Sequence, residues 1–248
     1  FTLMDNFESV KNANCLYTDE AGRLWIGTND SGLSICINDN IANVLDESDG
    51  LGADSVRCIT QGADGRYYIG TTGSLSVVTL SGGLSVDTNI EEIVYAYSVS
   101  ADDDGNVAVV TDEGVLYLVR GTEVVASYQN KENGYTCCQF TEDGSLYVGT
   151  EGNKIIRYAV TEDGLKEKKT ITCTGISEIA SLTVQDGLLY VCAYNGAGYL
   201  DANERYHEIK VNQFNSSLAH VLIDYQGNYW FVSSRLGLLR MCQSVFTD

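Results

Sequence analysis

The sequence predicts an all-β protein assembled from about six similar four-stranded sheets, and three observations carry that prediction. Apolar runs of four to six residues, rich in Val, Ile, Tyr and Thr, are separated by short acid- and glycine-containing turns. A turn glycine recurs at Gly22, Gly65, Gly105, Gly144, Gly187 and Gly227, spaced 43, 40, 39, 43 and 40 residues apart. The 3.6-residue apolar periodicity of helices is missing throughout, and 25 glycines with no proline suit many tight turns.

The first strand of each period precedes its glycine: Asn14-Cys-Leu-Tyr-Thr18, Arg57-Cys-Ile-Thr60, Tyr97-Ser-Val-Ser100, Thr136-Cys-Cys-Gln-Phe140, Ile179-Ala-Ser-Leu-Thr183 and Ala219-His-Val-Leu-Ile223. The tetrads that follow, such as Asp19-Glu-Ala-Gly22 and Asp102-Asp-Asp-Gly105, read as hairpin turns. Glycine takes the positive φ there, and the short carboxylates bond the turn's own backbone. Second strands come next, at 24–28, 67–71, 107–111, 146–150, 189–193 and 229–233. Third strands follow another glycine-containing turn, at 33–37, 75–79, 115–118, 154–158, 198–200 and 238–241. A more polar fourth segment closes the period, as at Ala42-Asn-Val-Leu45 or Glu123-Val-Val-Ala126.

Four short strands in about 41 residues is the size of one β-propeller blade. A stacked β-helix needs a far shorter repeat, so the chain reads as a single β-propeller over 1–248 with about six four-stranded blades. Phe1-Thr-Leu-Met-Asp5 and Val245-Phe-Thr-Asp248 fall at the same phase of the repeat. They either close the last blade by exchanging a strand between termini or open a seventh; both readings stand. With Phe1 first and no leader pattern, the chain is expected to be a piece of a larger signalling protein.

Within the repeat, the third residue after the turn glycine is Trp25, Tyr68, Ala108, Tyr147, Tyr190 or Trp230, which assigns it to packing between blades. The sixth is Thr28, Thr71, Thr111, Thr150, Ala193 or Ser233, always small and usually hydroxylated. All eight cysteines fall in or beside apolar strands with no CxxC pair, and matched positions on packed sheets sit too far apart for a bond. They are expected to be small buried hydrophobes.

Fifteen basic against 34 acidic residues give a net charge of −19, which argues against nucleic acid and anionic membrane surfaces as partners. No run approaches the roughly 20 apolar residues of a spanning helix.

The segment Asp19-Glu-Ala-Gly-Arg-Leu-Trp-Ile-Gly-Thr-Asn-Asp-Ser-Gly-Leu33 resembles the two-component regulator propeller repeat: acid, turn glycine, apolar residue, Trp-Ile-Gly-Thr, then Gly-Leu. Asp64-Gly-Arg-Tyr-Tyr-Ile-Gly-Thr71, Asp143-Gly-Ser-Leu-Tyr-Val-Gly-Thr150 and Gln226-Gly-Asn-Tyr-Trp-Phe-Val-Ser233 are similar, while the units at Gly105 and Gly187 are degenerate. The resemblance implies an extracytoplasmic, periplasmic or cell-surface sensor domain of a bacterial membrane-anchored receptor. Such a domain precedes a cytoplasmic histidine kinase or diguanylate cyclase module and is often directed at oligosaccharides. The matching residues are framework residues, so the resemblance transfers no binding site.

Chemistry on the chain is sparse. Only His207 and His220 are available, with neither a nucleophile elbow nor metal-type spacing beside them. His220 falls at the strand-one position taken elsewhere by Cys15, Cys58, Ser98, Cys137 and Ala180, which predicts a satisfied inner-strand histidine. His207, beside Glu208, is placed in an exposed polar loop. Asp102-Asp-Asp-Gly-Asn106 is read as a turn because it lacks a calcium loop's length and closing Glu. No catalysis, cofactor or metal is therefore expected.

Binding is the alternative to chemistry. Propeller geometry brings loops entering strand one and loops leaving strand two to the same face. The expected ligand-binding residues there are Asn14, Arg57, Tyr95, Tyr97 and Tyr135 from the first set, and Tyr194, Asn195 and Arg235 from the second. Tyrosines, amides and isolated arginines can stack on sugar rings and bond their hydroxyls. The expected ligand is a small molecule or oligosaccharide, with a homodimer as a further partner. A protein-interaction or dimerisation propeller and a carbohydrate-active propeller enzyme are the alternatives.

Overall fold

The computed structural model describes residues 10, 12–38, 40–211 and 214–242. It is all-β apart from one 3-10 turn at Glu47–Asp49 among the described residues. Its contacts group the chain into two compact units, Phe1–Tyr128 and Gln129–Asp248, and each holds three antiparallel sheets.

In the first unit, the first sheet contains β1 (Ala13–Thr18), β2 (Leu24–Thr28), β3 (Leu33–Ile37) and β4 (Asn40–Leu45). The second contains β5 (Val56–Gln61), β6 (Tyr67–Thr71), β7 (Leu75–Thr79) and β8 (Ser85–Ile90). The third contains β9 (Ala96–Ala101), β10 (Asn106–Thr111), β11 (Val115–Arg120) and β12 (Glu123–Gln129), the last residue of which opens the second unit. In the second unit, β13 (Tyr135–Phe140), β14 (Ser145–Thr150), β15 (Lys154–Thr161) and β16 (Gly164–Thr172) form one sheet. The next is built of β17 (Ile179–Gln185), β18 (Leu188–Ala193), β19 (Gly196–Leu200) and β20 (Tyr206–Ile209). The last described sheet has three strands, β21 (Leu218–Ile223), β22 (Tyr229–Ser233) and β23 (Gly237–Met241). The termini that were expected to complete a fourth strand or start a seventh blade lie outside the described residues.

Every sheet is a meander in sequence order, and within each unit first strands pack on first strands: β1 on β5 on β9, and β13 on β17 on β21. That is blade packing, as the 41-residue period predicts. All six repeat glycines take positive φ, from +74° to +85°. Asp19, Asp102 and Asp224 each accept two backbone N–H bonds inside their own turns, at 2.8–3.0 Å. Asp102 also accepts from the Asn106 side chain, so turn chemistry accounts for the acid-rich run.

Four of the five repeat aromatics are core residues, and Trp230 is half-buried with Arg240 over its ring. Trp25 and Tyr68 are buried, as are Tyr147 and Tyr190, and Ala108 fills the odd slot. Each inter-blade layer is a separate apolar cluster. Leu33, Ile35 and Trp25 meet Val56, Tyr67 and Ile69 in the first unit, while Tyr190, Cys192 and Ala197 meet Leu218, Val221 and Phe231 in the second.

The hydroxyls that end strand two clip the turn into strand three. Thr28 Oγ1 donates to Gly32 O at 3.0 Å and accepts from Ser31 N at 2.9 Å. Thr71 repeats the pair with Ser74, and Thr150 Oγ1 donates to Lys154 O at 2.9 Å.

Cysteine and glycine positions are coupled across the first two strands. Cys15 pairs with Gly27, Cys58 with Gly70 and Cys137 with Gly149. A Cβ on any of these glycines would lie 2.4–2.6 Å from the paired sulfur and within 2.8 Å of the next blade's Val56, Ala96 or Ile179. Where strand two instead carries Val110 or Cys192, strand one answers with Ser98 or Ser181. This register corrects the sequence alignment by one residue: the fifth counterpart of His220 is Ser181, not Ala180. All eight cysteines are free; Cys36, Cys137, Cys138, Cys173 and Cys192 are buried, Cys15 and Cys58 half-buried, and Cys242 exposed.

Candidate functional site

Three of the residues expected to bind, Asn14, Arg57 and Tyr97, are set by an irregularity that recurs in all six sheets. The second residue of strand one is an extra residue in the ladder, a β-bulge. Ala13 pairs with Thr28 and Cys15 with Gly27, leaving Asn14 unpaired between them. The same slip isolates Arg57, Tyr97, Thr136, Ala180 and Ala219. A bulge re-aims one side chain while the flanking residues keep the sheet. In five of the sheets the residue before the bulge, Val56, Ala96, Tyr135, Ile179 or Leu218, is buried core. The bulged residues are exposed or half-buried.

Just upstream, a backbone clamp ties strand one to the end of strand two. Asn29 N donates to Asn12 O, Asp112 N to Tyr95 O, Tyr194 N to Glu178 O and Ser234 N to Ser217 O, at 2.9–3.2 Å. Asn12, Tyr95, Glu178 and Ser217 all take positive φ, +50° to +57°. Asn tolerates that conformation readily, whereas a tyrosine there is strained.

In the first unit the three bulges bring Asn14, Arg57 and Tyr97 onto neighbouring first strands. Asn14 Nδ2 donates to Val56 O at 2.8 Å, fixing the backbone immediately before Arg57. The Arg57 guanidinium sits over the Tyr97 ring, 5.6 Å from its centroid, within cation–π range. Tyr97 is 50% exposed and Tyr95 46%. At the edge, Asn12 Nδ2 donates to Asp30 Oδ2 at 2.8 Å. The repeat aligns Asn14, Arg57 and Tyr97 at the start of strand one, but not as bulged residues, because a bulge leaves no mark in a single strand's composition.

The second unit is different. Its bulges carry Thr136, Ala180 and Ala219, and Thr136 Oγ1 bonds Ile179 O as Asn14 bonds Val56 O. Tyr194 is exposed, and a hydrogen bond with Ser217 followed by the charge of Arg235 pulls its hydroxyl below the ordinary tyrosine pKa. Arg235 is thus near enough to Tyr194 for its charge to act on the hydroxyl. Asn195 serves the loop before β17: its Oδ1 accepts from Ser177 N at 2.8 Å and its Nδ2 donates to Gly175 O at 3.3 Å.

Three expectations are corrected. Tyr135 is buried, with its hydroxyl 2.7 Å from that of Tyr158, because it is the core residue before a bulge and not the bulged one. His220 lies on the first strand of its sheet as expected, but it is exposed, although desolvation by its surroundings still lowers its pKa. His207 lies on β20, not in a loop; it is exposed, 2.9 Å from Asp201 Oδ2 and stacked on Tyr199. The partner of His207 is thus a turn carboxylate that also accepts backbone bonds from Asn203 and Arg205. Among the described residues no cluster of three or more His, Cys, Asp or Glu is arranged to hold a metal ion. No helix of the described residues is long and apolar enough to cross a membrane.

Residues 8–30 and 50–73 match the family model described as two component regulator propeller. These are the segments carrying the Trp-Ile-Gly-Thr and Tyr-Ile-Gly-Thr strands. Among solved structures, the chain is similar to the extracellular domain assigned to the hybrid two component system BT3049 of B. thetaiotaomicron. The TM-score is 0.74 at 15% identity, covering 94% of this chain and 34% of that one. The corresponding domain assigned to BT4673 of the same organism gives 0.75 at 15% identity, over 97% and 33%. Virginiamycin B lyase from Staphylococcus aureus gives 0.71 at 16% identity, over 97% and 87%. The chain thus spans about a third of the length of the two sensor domains. These likenesses show the β-propeller fold, one that houses both sensors and an enzyme. No curated protein matches the chain.

Proposed function

We propose that this chain, a carrier of two component regulator propeller repeats, is a ligand-binding part of an extracytoplasmic sensor and performs no catalysis. The observation that carries the reading is the bulge row of the first unit. It presents an amide, a guanidinium and an aromatic ring from one structural position on three adjacent strands. Groups of that kind bind and orient a small polar molecule, and none is placed to transfer a proton or attack a bond. The similarity to the extracellular domains of hybrid two component systems supports the same reading. In the full-length protein the bound state would be passed to a cytoplasmic signalling module.

A thermal-shift screen of residues 1–248 against oligosaccharides and small metabolites, with calcium and EDTA as controls, tests this. A ligand at 100 times its Kd adds about 2.7 kcal/mol of stability. For a chain of this size that raises the midpoint by roughly 5–10 °C. A hit recovered chemically unchanged fits a sensor. A hit converted to product overturns the non-catalytic reading in favour of an enzyme on the fold that the lyase shares.

A further inference from the structure

Arg57 is the one first-unit arginine whose charge is left without a protein acceptor among the described residues. Arg23 is held by Asp19 at 2.7 Å, Arg66 reaches Asp87 at 3.5 Å, and Arg120 donates from Nε to Asn106 at 2.8 Å. The Nε of Arg57 is buried and has no hydrogen-bond partner. In a chain with 34 acidic residues and a net charge of −19, a carboxylate would be drawn to this guanidinium if the backbone let one reach it. None does. The side chain is also held in place: Asn14 pins the preceding carbonyl, the bulge lifts Arg57 out of the ladder, and Tyr97 supports the guanidinium plane.

The buried Nε faces the protein, so the paired Nη groups at the end of the guanidinium are the edge that matches a planar two-oxygen anion, and the half-exposed ring beside them offers a face to a second ring. We propose that Arg57 and Tyr97 form a carboxylate subsite, and that the ligand carries a carboxylated ring, as an acidic oligosaccharide does in its uronate units. The proposal rests on the binding reading above and adds the charge class of the ligand. Bulged Tyr97 packs the ring, Arg57 takes the carboxylate, and Asn14 is a positioning residue.

The test is calorimetric titration of residues 1–248 with trigalacturonate, with its neutral counterpart α-1,4-galactotriose, and with acetate. Trigalacturonate is expected to bind at least tenfold tighter than galactotriose. R57Q should erase that difference, and R57K should restore only part of it, since an ammonium keeps the charge without the fork. The melting midpoint of R57Q should stay within a few degrees of the parent's, because only the contact with the Tyr97 ring is lost. Saturation by acetate alone also supports the carboxylate subsite and assigns it to a free acid rather than a sugar. Equal binding of the acidic and neutral trisaccharides, or unchanged binding of trigalacturonate to R57Q, overturns the proposal and leaves the binding reading intact. No heat from any of the three probes in a sample with a cooperative melt overturns the proposal and counts against the binding reading as well.

Discussion

Trp25 and Tyr67 stack with ring centroids 3.9 Å apart, and each donates to the same Oδ2 atom of Asp19, at 2.9 and 3.0 Å. Arg23 Nε donates to that oxygen as well, at 2.7 Å. A turn residue thereby anchors the aromatic layer between the first and second sheets. The last sheet repeats the device where Trp230 Nε1 donates to Asp224 Oδ2 at 2.9 Å.

Burial works to raise the pKa of Asp19, but the bonds from Trp25, Arg23 and Tyr67 outweigh it and hold the carboxyl at about 2. A carboxyl below its ordinary 3.8 stabilises the fold fully above about pH 4 and loses that contribution as pH falls toward 2. D19N is expected to cost about 2 kcal/mol at pH 7. Urea midpoints measured at pH 7 and at pH 2.5 should show the gap between parent and variant narrowing sharply at the acidic value.

The glycine of the Trp-Ile-Gly-Thr strand is a packing requirement, since a Cβ on Gly27 would meet Cys15 Sγ and Val56 Cγ1, both at 2.5 Å. G27A should destabilise by roughly 1–3 kcal/mol. Adding C15S, which copies the Ser98 and Ser181 arrangement, should return part of that loss. The double-mutant cycle should therefore give a coupling clearly different from zero.

Tyr135 should behave as a core residue. Y135F breaks its hydroxyl pair with Tyr158 and is expected to cost about 1 kcal/mol. Ligand affinity measured by calorimetry should not change. A loss of affinity with no loss of stability would return Tyr135 to the binding surface.

Thiol reactivity should follow position in the blade. Burial pushes Cys137, Cys173 and Cys192 up to about 12, so few of these thiols are ionised near neutrality. Iodoacetamide at pH 8 is expected to label exposed Cys242 first, with Cys137, Cys173 and Cys192 modified only after denaturation. Peptide mass spectrometry over time reads the order directly.

Much of the architecture was legible because the repeat states each position several times. Three of the six second strands begin at the residue the pattern predicts, and the other three begin one residue earlier, at Asn106, Ser145 and Leu188. The surface was less legible. Arg57 and Tyr97 stand out in the sequence by their chemistry at the entry to strand one, yet what makes them available is the bulge, which depends on pairing with another strand. Tyr135 was misread for the same reason: one residue separates a core position from a displayed one, and composition does not record the slip. His220 was misaligned across the fifth sheet because Ala180 is the unpaired residue there.

The bulge has one more consequence. Its residue belongs to neither face of the sheet, so its identity is free of the volume rules that bind Gly27 to Cys15 or Leu33 to Val56. Asn, Arg, Tyr, Thr and Ala all occupy it in this one chain with the ladder on either side unchanged. Each blade therefore carries one letter that can be rewritten without disturbing the frame. A scaffold of this kind can acquire a new specificity by substitution at those letters alone, while its stability is inherited from the residues on either side.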